Sequence, residues 1–149
     1  MKTLFLIICL ISNTYATTLK IFDLCSPVVL YAEHFEINQD TNVADLTLKA
    51  LQNSELYYRG NQYGIHSINN SPVSDKALEI ISENHMRSYG WCFSVNGVQP
   101  GHLMHEVPIL ASKIQTIEWY DGYAEYKNGQ WLSYCTPHHT RPQPFICQH

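Results

Sequence analysis

Charged side chains are scarce in this 149-residue sequence. Asp, Glu, Lys and Arg together make up 15%, and the 9 basic residues form no block against the 13 acidic ones. Nucleic-acid binding rests on a basic patch or stripe, so no nucleic-acid partner is expected. Beyond the N-terminus, no apolar run approaches the ~20 residues that cross a bilayer, so no membrane span is expected there. The chain has no C-x-x-C pair, which argues against a zinc ribbon or a thioredoxin-type motif. It has no G-x-S-x-G nucleophile elbow, no internal repeat and no low-complexity tract. What is present is a 45% hydrophobic composition of the globular kind, enough for one domain.

The first sixteen residues carry the secretory pattern. Lys2 supplies the positive start, residues 4–11 are apolar, and Thr14-Tyr15-Ala16 offers small residues at the two positions that signal peptidase reads. Cleavage after Ala16 is expected, with a secreted or periplasmic product. Of the five cysteines, removal of Cys9 leaves Cys25, Cys92, Cys135 and Cys147. An even count in an exported chain points to two disulfides, and all three pairings are open. The expected organisation is a signal segment over 1–16, a domain over 17–135, and an extended Pro- and His-rich tail over 136–149 pinned by Cys147.

Apolar, β-prone runs at 19–24 and 28–37, separated by Cys25-Ser26-Pro27, suggest a hairpin. Val43, Leu46, Ala50 and Leu51 recur at helical spacing, with Asn42 as N-cap and Asp45 favourable in the first turn, so a helix is expected over 43–53. Ile65 to Asn70 reads as a short strand. Ala77, Leu78 and Ile81 suggest a second short helix over 75–85. Residues 91–98 alternate, placing Trp91, Phe93 and Val95 on one face and Cys92, Ser94 and Asn96 on the other. Asn96-Gly97 and Asn128-Gly129 are strong turn signals, because both residue types tolerate positive φ. A strand is expected over 114–120, and 123–126 with 131–134 should form a hairpin. This order of elements predicts an α+β, β-grasp-like fold, one main helix on a mixed sheet, with an added short helix and a C-terminal hairpin and tail.

The run Tyr89-Gly90-Trp91-Cys92-Phe93-Ser94-Val95-Asn96-Gly97-Val98-Gln99-Pro100 resembles the GW-x-(Y/F)-SVNG-x-x-P signature of the transcobalamin-like C-terminal domain family. Asn42-Val43-Ala44-Asp45-Leu46 and Leu48-Lys49-Ala50-Leu51 are similar to its helix, Ile65-His66-Ser67-Ile68-Asn69 to the strand before the signature, and Ile117-Glu118-Trp119-Tyr120 to its closing strand. The resemblance covers about residues 18–121. It implies a β-grasp-like, exported domain without catalysis, and it is the sole source of a cofactor expectation: in the vitamin B12 carriers the related domain lies over one face of the corrinoid. After the signature the chain departs from the pattern, with Ala111-Ser112-Lys113 where the family carries a Gly-Asp turn.

Trp91 and Phe93 read either as an aromatic floor for a flat ligand or as core against the 43–53 helix. Ser94 and Asn96, on the opposite parity, offer hydroxyl and amide contacts, although turn chemistry alone accounts for Asn96. Trp119, Tyr120 and Tyr123 complete the expected ligand face. With Tyr126 and Trp131, the same aromatics form an alternative protein-recognition surface on the hairpin. His102-x-x-His105 and His138-His139 are the local histidine clusters. Three-apart histidines converge only on a helix, and Pro100-Gly101 argues for a loop, so no metal site is expected. Glu118 and Asp121 are three apart in a strand and face opposite ways, so no acid–base pair forms. The sequence therefore points to a secreted, non-catalytic binding module. Its expected partner is a small, corrinoid-like molecule bound by the sheet face and the following loop; the alternative is an extracellular protein-interaction factor.

Overall fold

The computed structural model describes residues 15–137 and 145–147. Most of the expected secretory segment and the His138-His139 pair lie outside the described residues.

The chain opens with β1 (Ala16–Phe22) and β2 (Val29–Glu36), an antiparallel hairpin across the proline-containing break. A two-residue strand, β3 (Thr41–Asn42), leads into α1 (Val43–Asn53). The Asp45 backbone N–H donates to the Asn42 side-chain oxygen at 2.9 Å, which satisfies one of the helix's orphan donors. Val43, Ala44, Leu46, Thr47, Ala50 and Leu51 form the helix's buried face, and the Ser54 hydroxyl closes its end on the Leu51 carbonyl. A small hairpin follows, β4 (Tyr58–Asn61) with β5 (Gly64–Ile68). Then come a 3₁₀ turn (Ser74–Ala77), β6 (Leu78–Ser82) and β7 (His85–Val95). A loop containing a second 3₁₀ turn (Met104–Glu106) reaches β8 (Pro108–Ile109), which pairs with β3. The long β9 (Gln115–Lys127) turns into β10 (Gln130–Pro137).

The main sheet runs β2-β1-β9-β7-β6, with β10 also on β9. β7 pairs antiparallel with β9 from His85↔Lys127 to Val95↔Ile117. On the other edge of β9, its first half pairs parallel with β1 (Thr17↔Gln115 to Ile21↔Trp119), and its second half pairs with β10. The inner face carries Leu19, Ile21, Ile117 and Trp119, which pack with Val43, Leu46, Ala50 and Leu51 of α1. A smaller cluster farther along joins Tyr89, Tyr123, Ala77 and Ile146. Arg87 fastens the nearby hairpin by reaching Glu79 at 3.1 Å and Glu125 at 3.0 Å. Burial alone would lower its pKa, but hydrogen bonds and charge from those two carboxylates outweigh burial and raise it, so the guanidinium stays charged.

The expected α+β, β-grasp-like class is overturned. The described residues are mostly β, 52% in strands and 17% helical with one α-helix among them, and the sheet curls into a half-barrel. α1 fills the curl and does not form a layer of its own. The second helix expected over 75–85 is a 3₁₀ turn followed by β6, whose β-branched Ile80 and Ile81 favour the pleated surface. The strands expected over 114–120 and 123–126 are one strand, because Gly122 continues the ladder opposite Gly90.

Two disulfides form, Cys25–Cys147 and Cys92–Cys135, which resolves the three open pairings. Such bonds persist in oxidising compartments. Among the described residues no helix is long and apolar enough to cross a membrane. Cys92 in β7 and Cys135 in β10 flank β9, yet their Cα atoms are 5.7 Å apart. Strands two apart in a flat sheet lie about 9–10 Å apart. The shortfall is made up where Cys135 takes a positive φ of 52° and the β9–β10 register shifts between Ser133 and Thr136.

The bridge thus passes over Gly122, where a Cβ would lie 3.1 Å from Cys92 Sγ, the Cys135 carbonyl carbon and the Thr136 oxygen. Gly122→Ala is expected to destabilise the fold by about 1–3 kcal/mol in urea unfolding through overpacking. Gly90→Ala, with open space at its Cβ, should be neutral or stabilising by about 0.4–1 kcal/mol.

Candidate functional site on the outer sheet face

Strand alternation and register set this face. Lys20 and Phe22 of β1, Glu118 and Tyr120 of β9, and Ser94 of β7 lie on the parity opposite the core. Cross-strand pairing puts Lys20 beside Glu118 and Glu118 beside Ser94. The Lys20 Nζ donates to Glu118 Oε1 at 3.3 Å. Phe22 and Pro27 wall one side of the resulting cavity, and Tyr134, Thr136 and Pro137 wall the other. Gly97 and Gln99 of the following loop form its rim, and the volume is about 500 Å³. That volume suits a drug-sized ligand.

Two features give the cavity its chemistry. Burial raises the Tyr120 pKa, and the neighbouring Glu118 charge raises it further, so the phenol remains a protonated hydrogen-bond donor beyond its ordinary range. Ser94 supplies a second hydroxyl from a buried position. Phe22 and Tyr134 add aromatic surface beside these polar groups.

The six expected ligand residues do not converge. Ser94 and Tyr120 share this cavity. Asn96 sits next to it with φ 52°, but its side-chain oxygen accepts from the Thr116 N–H at 2.8 Å and clamps the turn to β9. Trp91 lies at a different cleft, of about 430 Å³, between β7 and the loop bearing Leu103 and Met104; its Nε1–H donates to Ser71 Oγ at 2.8 Å. Trp119 borders that cleft but is only 1% exposed and donates to Thr47 Oγ1. Tyr123 is buried in the smaller inner cluster.

Phe22, Gln99 and Tyr134 were not singled out as ligand residues from the sequence. Their place depends on which strands neighbour β9, and no local pattern encodes that.

On the alternative recognition hairpin, Trp119 and Tyr123 are again buried. Trp131 and Tyr134 are 46% and 64% exposed, with rings 5.9 Å apart and nearly parallel, and Tyr126 meets Trp131 edge-on. His102 is exposed, 4.0 Å from Glu106, whereas His105 packs edge-on against Tyr63. Among the described residues no group of three or more His, Cys, Asp or Glu is arranged to hold a metal ion. Glu118 faces outward, and Asp121 is buried on the inner parity.

No protein-family profile matches the chain, and no curated protein matches it. Among solved structures, the chain is similar to one described as a "putative metal binding protein" from Ruminococcus gnavus. The identity is 14%, the TM-score is 0.45, and the match covers 73% of this chain and 99% of that one.

Proposed function

We propose that this chain is an exported, non-catalytic binding module that holds a small molecule in the outer-face cavity between Phe22, Ser94, Tyr120 and Tyr134. The observation that carries the reading is the pair of hydroxyl donors, Ser94 and Tyr120, set among aromatic walls in a cavity of about 500 Å³. A few convergent polar groups in an otherwise apolar concavity are the usual make-up of a ligand site. The two disulfides support export, which would follow cleavage after Ala16. The resemblance of residues 89–100 to the transcobalamin-like family makes a corrinoid the first ligand to try.

The test is calorimetric titration of the purified chain with corrinoids and with other flat aromatic ligands. For a ligand that binds, Ser94→Ala and Tyr120→Phe should each weaken affinity about three- to tenfold, the worth of one neutral hydrogen bond. Trp91→Phe, at the other cleft, should leave affinity unchanged. Silence from every corrinoid removes the corrinoid version. Insensitivity of a bound ligand to both hydroxyl variants removes the cavity.

A second reading, an extracellular protein-interaction factor, draws on the exposed Trp131 and Tyr134. It requires that alanine at both positions abolish a partner's binding while the unfolding midpoint stays in place.

A further inference from the structure

The polar groups of the outer-face cavity are of mixed type. Ser94, Tyr120 and Thr136 line it with hydroxyls, Gln99 with an amide and Glu118 with a carboxylate. Among the described residues, the side chains of Ser94, Tyr120, Thr136 and Gln99 make no hydrogen bond within the protein. Ser94 is only 6% exposed, so a ligand that covers its hydroxyl without pairing it pays a desolvation cost. Glu118 is the one charged side chain on the lining. Lys20 engages its Oε1 at 3.3 Å and offsets the charge, while Oε2 has no partner among the described residues.

This inventory selects a ligand by its chemistry. A hydroxyl both donates and accepts, an amide does each from a different atom, and a carboxylate only accepts. A wholly apolar ligand would strand Ser94. An anion would meet Glu118, and a cation would find that carboxylate already engaged by Lys20. A neutral sugar ring answers all of these groups, because its rim hydroxyls donate and accept and its C–H face is apolar. Phe22 and Tyr134 offer aromatic surface for that face from the two walls. The aromatic surface also continues beyond the cavity. Tyr134 stacks on Trp131 with ring centroids 5.9 Å apart, both are exposed, and Tyr126 meets Trp131 edge-on at 5.4 Å. Trp131 pairs across the sheet with Tyr126, so the row leads from the cavity towards the β9–β10 turn.

We propose that the outer-face cavity binds one sugar ring of a neutral oligosaccharide, and that the exposed rings of Tyr134 and Trp131 carry the next. Glu118 Oε2 and the Gln99 amide oxygen accept from sugar hydroxyls, and the Ser94 and Tyr120 hydroxyls donate to sugar oxygens. The cavity supplies selectivity through these paired groups, and the row along β10 adds affinity for a chain over a single sugar. The inference rests on the outer-face cavity being the ligand site and names a ligand class for it.

The probes are cellotriose, maltotriose, laminaritriose and triacetylchitotriose, with glucose and N-acetylglucosamine as single rings. Each is titrated into the isotope-labelled chain and followed by amide shifts. At least one trisaccharide should bind at millimolar concentration or below, more tightly than its single ring. Glu118→Gln should weaken it about fivefold, because a charged acceptor is exchanged for a neutral one. Trp131→Ala should weaken the trisaccharide about three- to tenfold and leave the single ring unchanged, a split that a loss of folding would not produce. Silence from all four trisaccharides at millimolar concentration overturns the sugar class; a flat ligand whose binding depends on Ser94 and Tyr120 would then leave the cavity itself standing. A trisaccharide that binds but is unmoved by both Glu118→Gln and Ser94→Ala overturns the cavity as well. Equal losses for the trisaccharide and the single ring on Trp131→Ala overturn the extension along β10.

Discussion

Trp119→Ala is expected to cost about 3–5 kcal/mol of folding stability, the range for truncating a large buried aromatic. Trp119 is 1% exposed, its ring lies 5.1 Å from that of Phe93, and its Nε1–H donates to Thr47 Oγ1 at 2.9 Å. One side chain thus ties β9 to both β7 and α1. Truncation opens a cavity where the three meet and strands the fully buried Thr47 hydroxyl. Trp119→Phe keeps most of the apolar volume and loses the donor, so it should cost less. The double variant with Thr47→Val removes both hydrogen-bonding partners and should recover about 1–3 kcal/mol of the stranding penalty relative to additive losses. Urea unfolding of the wild type, Trp119→Ala, Trp119→Phe, Thr47→Val and the double variant Trp119→Phe with Thr47→Val separates the cavity from the hydrogen bond. A loss below about 1 kcal/mol for Trp119→Ala would place this ring outside the packed core.

Opening the Cys25–Cys147 bridge is the other large effect. Its cysteines are 122 residues apart in sequence, so the bridge restrains nearly the whole described chain when unfolded. The chain-entropy relation gives about 5 kcal/mol for a loop of this length and about 4 kcal/mol for the 43-residue separation of Cys92–Cys135. Cys25→Ser with Cys147→Ser should therefore destabilise somewhat more than Cys92→Ser with Cys135→Ser. Losing both bridges should leave the protein unfolded at room temperature, since a domain's whole stability is about 5–15 kcal/mol. The Cys25–Cys147 variant should also lose near-ultraviolet signal from Tyr89 and Tyr123, because Ile146 and Phe145 are held on that cluster by the bridge. Denaturant midpoints under oxidising conditions give the order. The reverse order would mean that the bridge over Gly122 secures native contacts beyond its effect on the unfolded chain.

The parts of the fold legible in the sequence are those encoded within a few residues. The 43–53 helix follows from the spacing of Val43, Leu46, Ala50 and Leu51 together with the Asn42 cap. Asn96-Gly97 and Asn128-Gly129 turn where expected, with positive φ at all four residues. The segment at Ala77, Leu78 and Ile81 misled because four or five apolar residues satisfy a helical and a strand period alike. The fold class failed for a longer-range reason. Once β6 is a strand and β9 runs unbroken through Gly122, one helix no longer balances the sheet, and the half-barrel curls around it.

The candidate site divides in the same way. Parity placed Ser94 on the outer face, where Tyr120 also lies. It could not say which of the aromatics at 119, 120 and 123 lay inside, because that depends on which face α1 covers. Phe22 and Tyr134 come from β1 and β10, whose places beside β9 are a matter of topology.

The parallel pairing of β1 with β9 has a kinetic consequence. Thr17 finds its neighbour only at Gln115, so a chain emerging N-terminus first presents its opening hairpin long before the strand that must sit against it is made. Loop closure over such a span is slow, and an uncovered strand is prone to pairing with other molecules in the interval. Nascent chains halted before residue 115 should therefore be sticky and protease-sensitive, and release of the β9 segment should be the event that commits the protein to its native state.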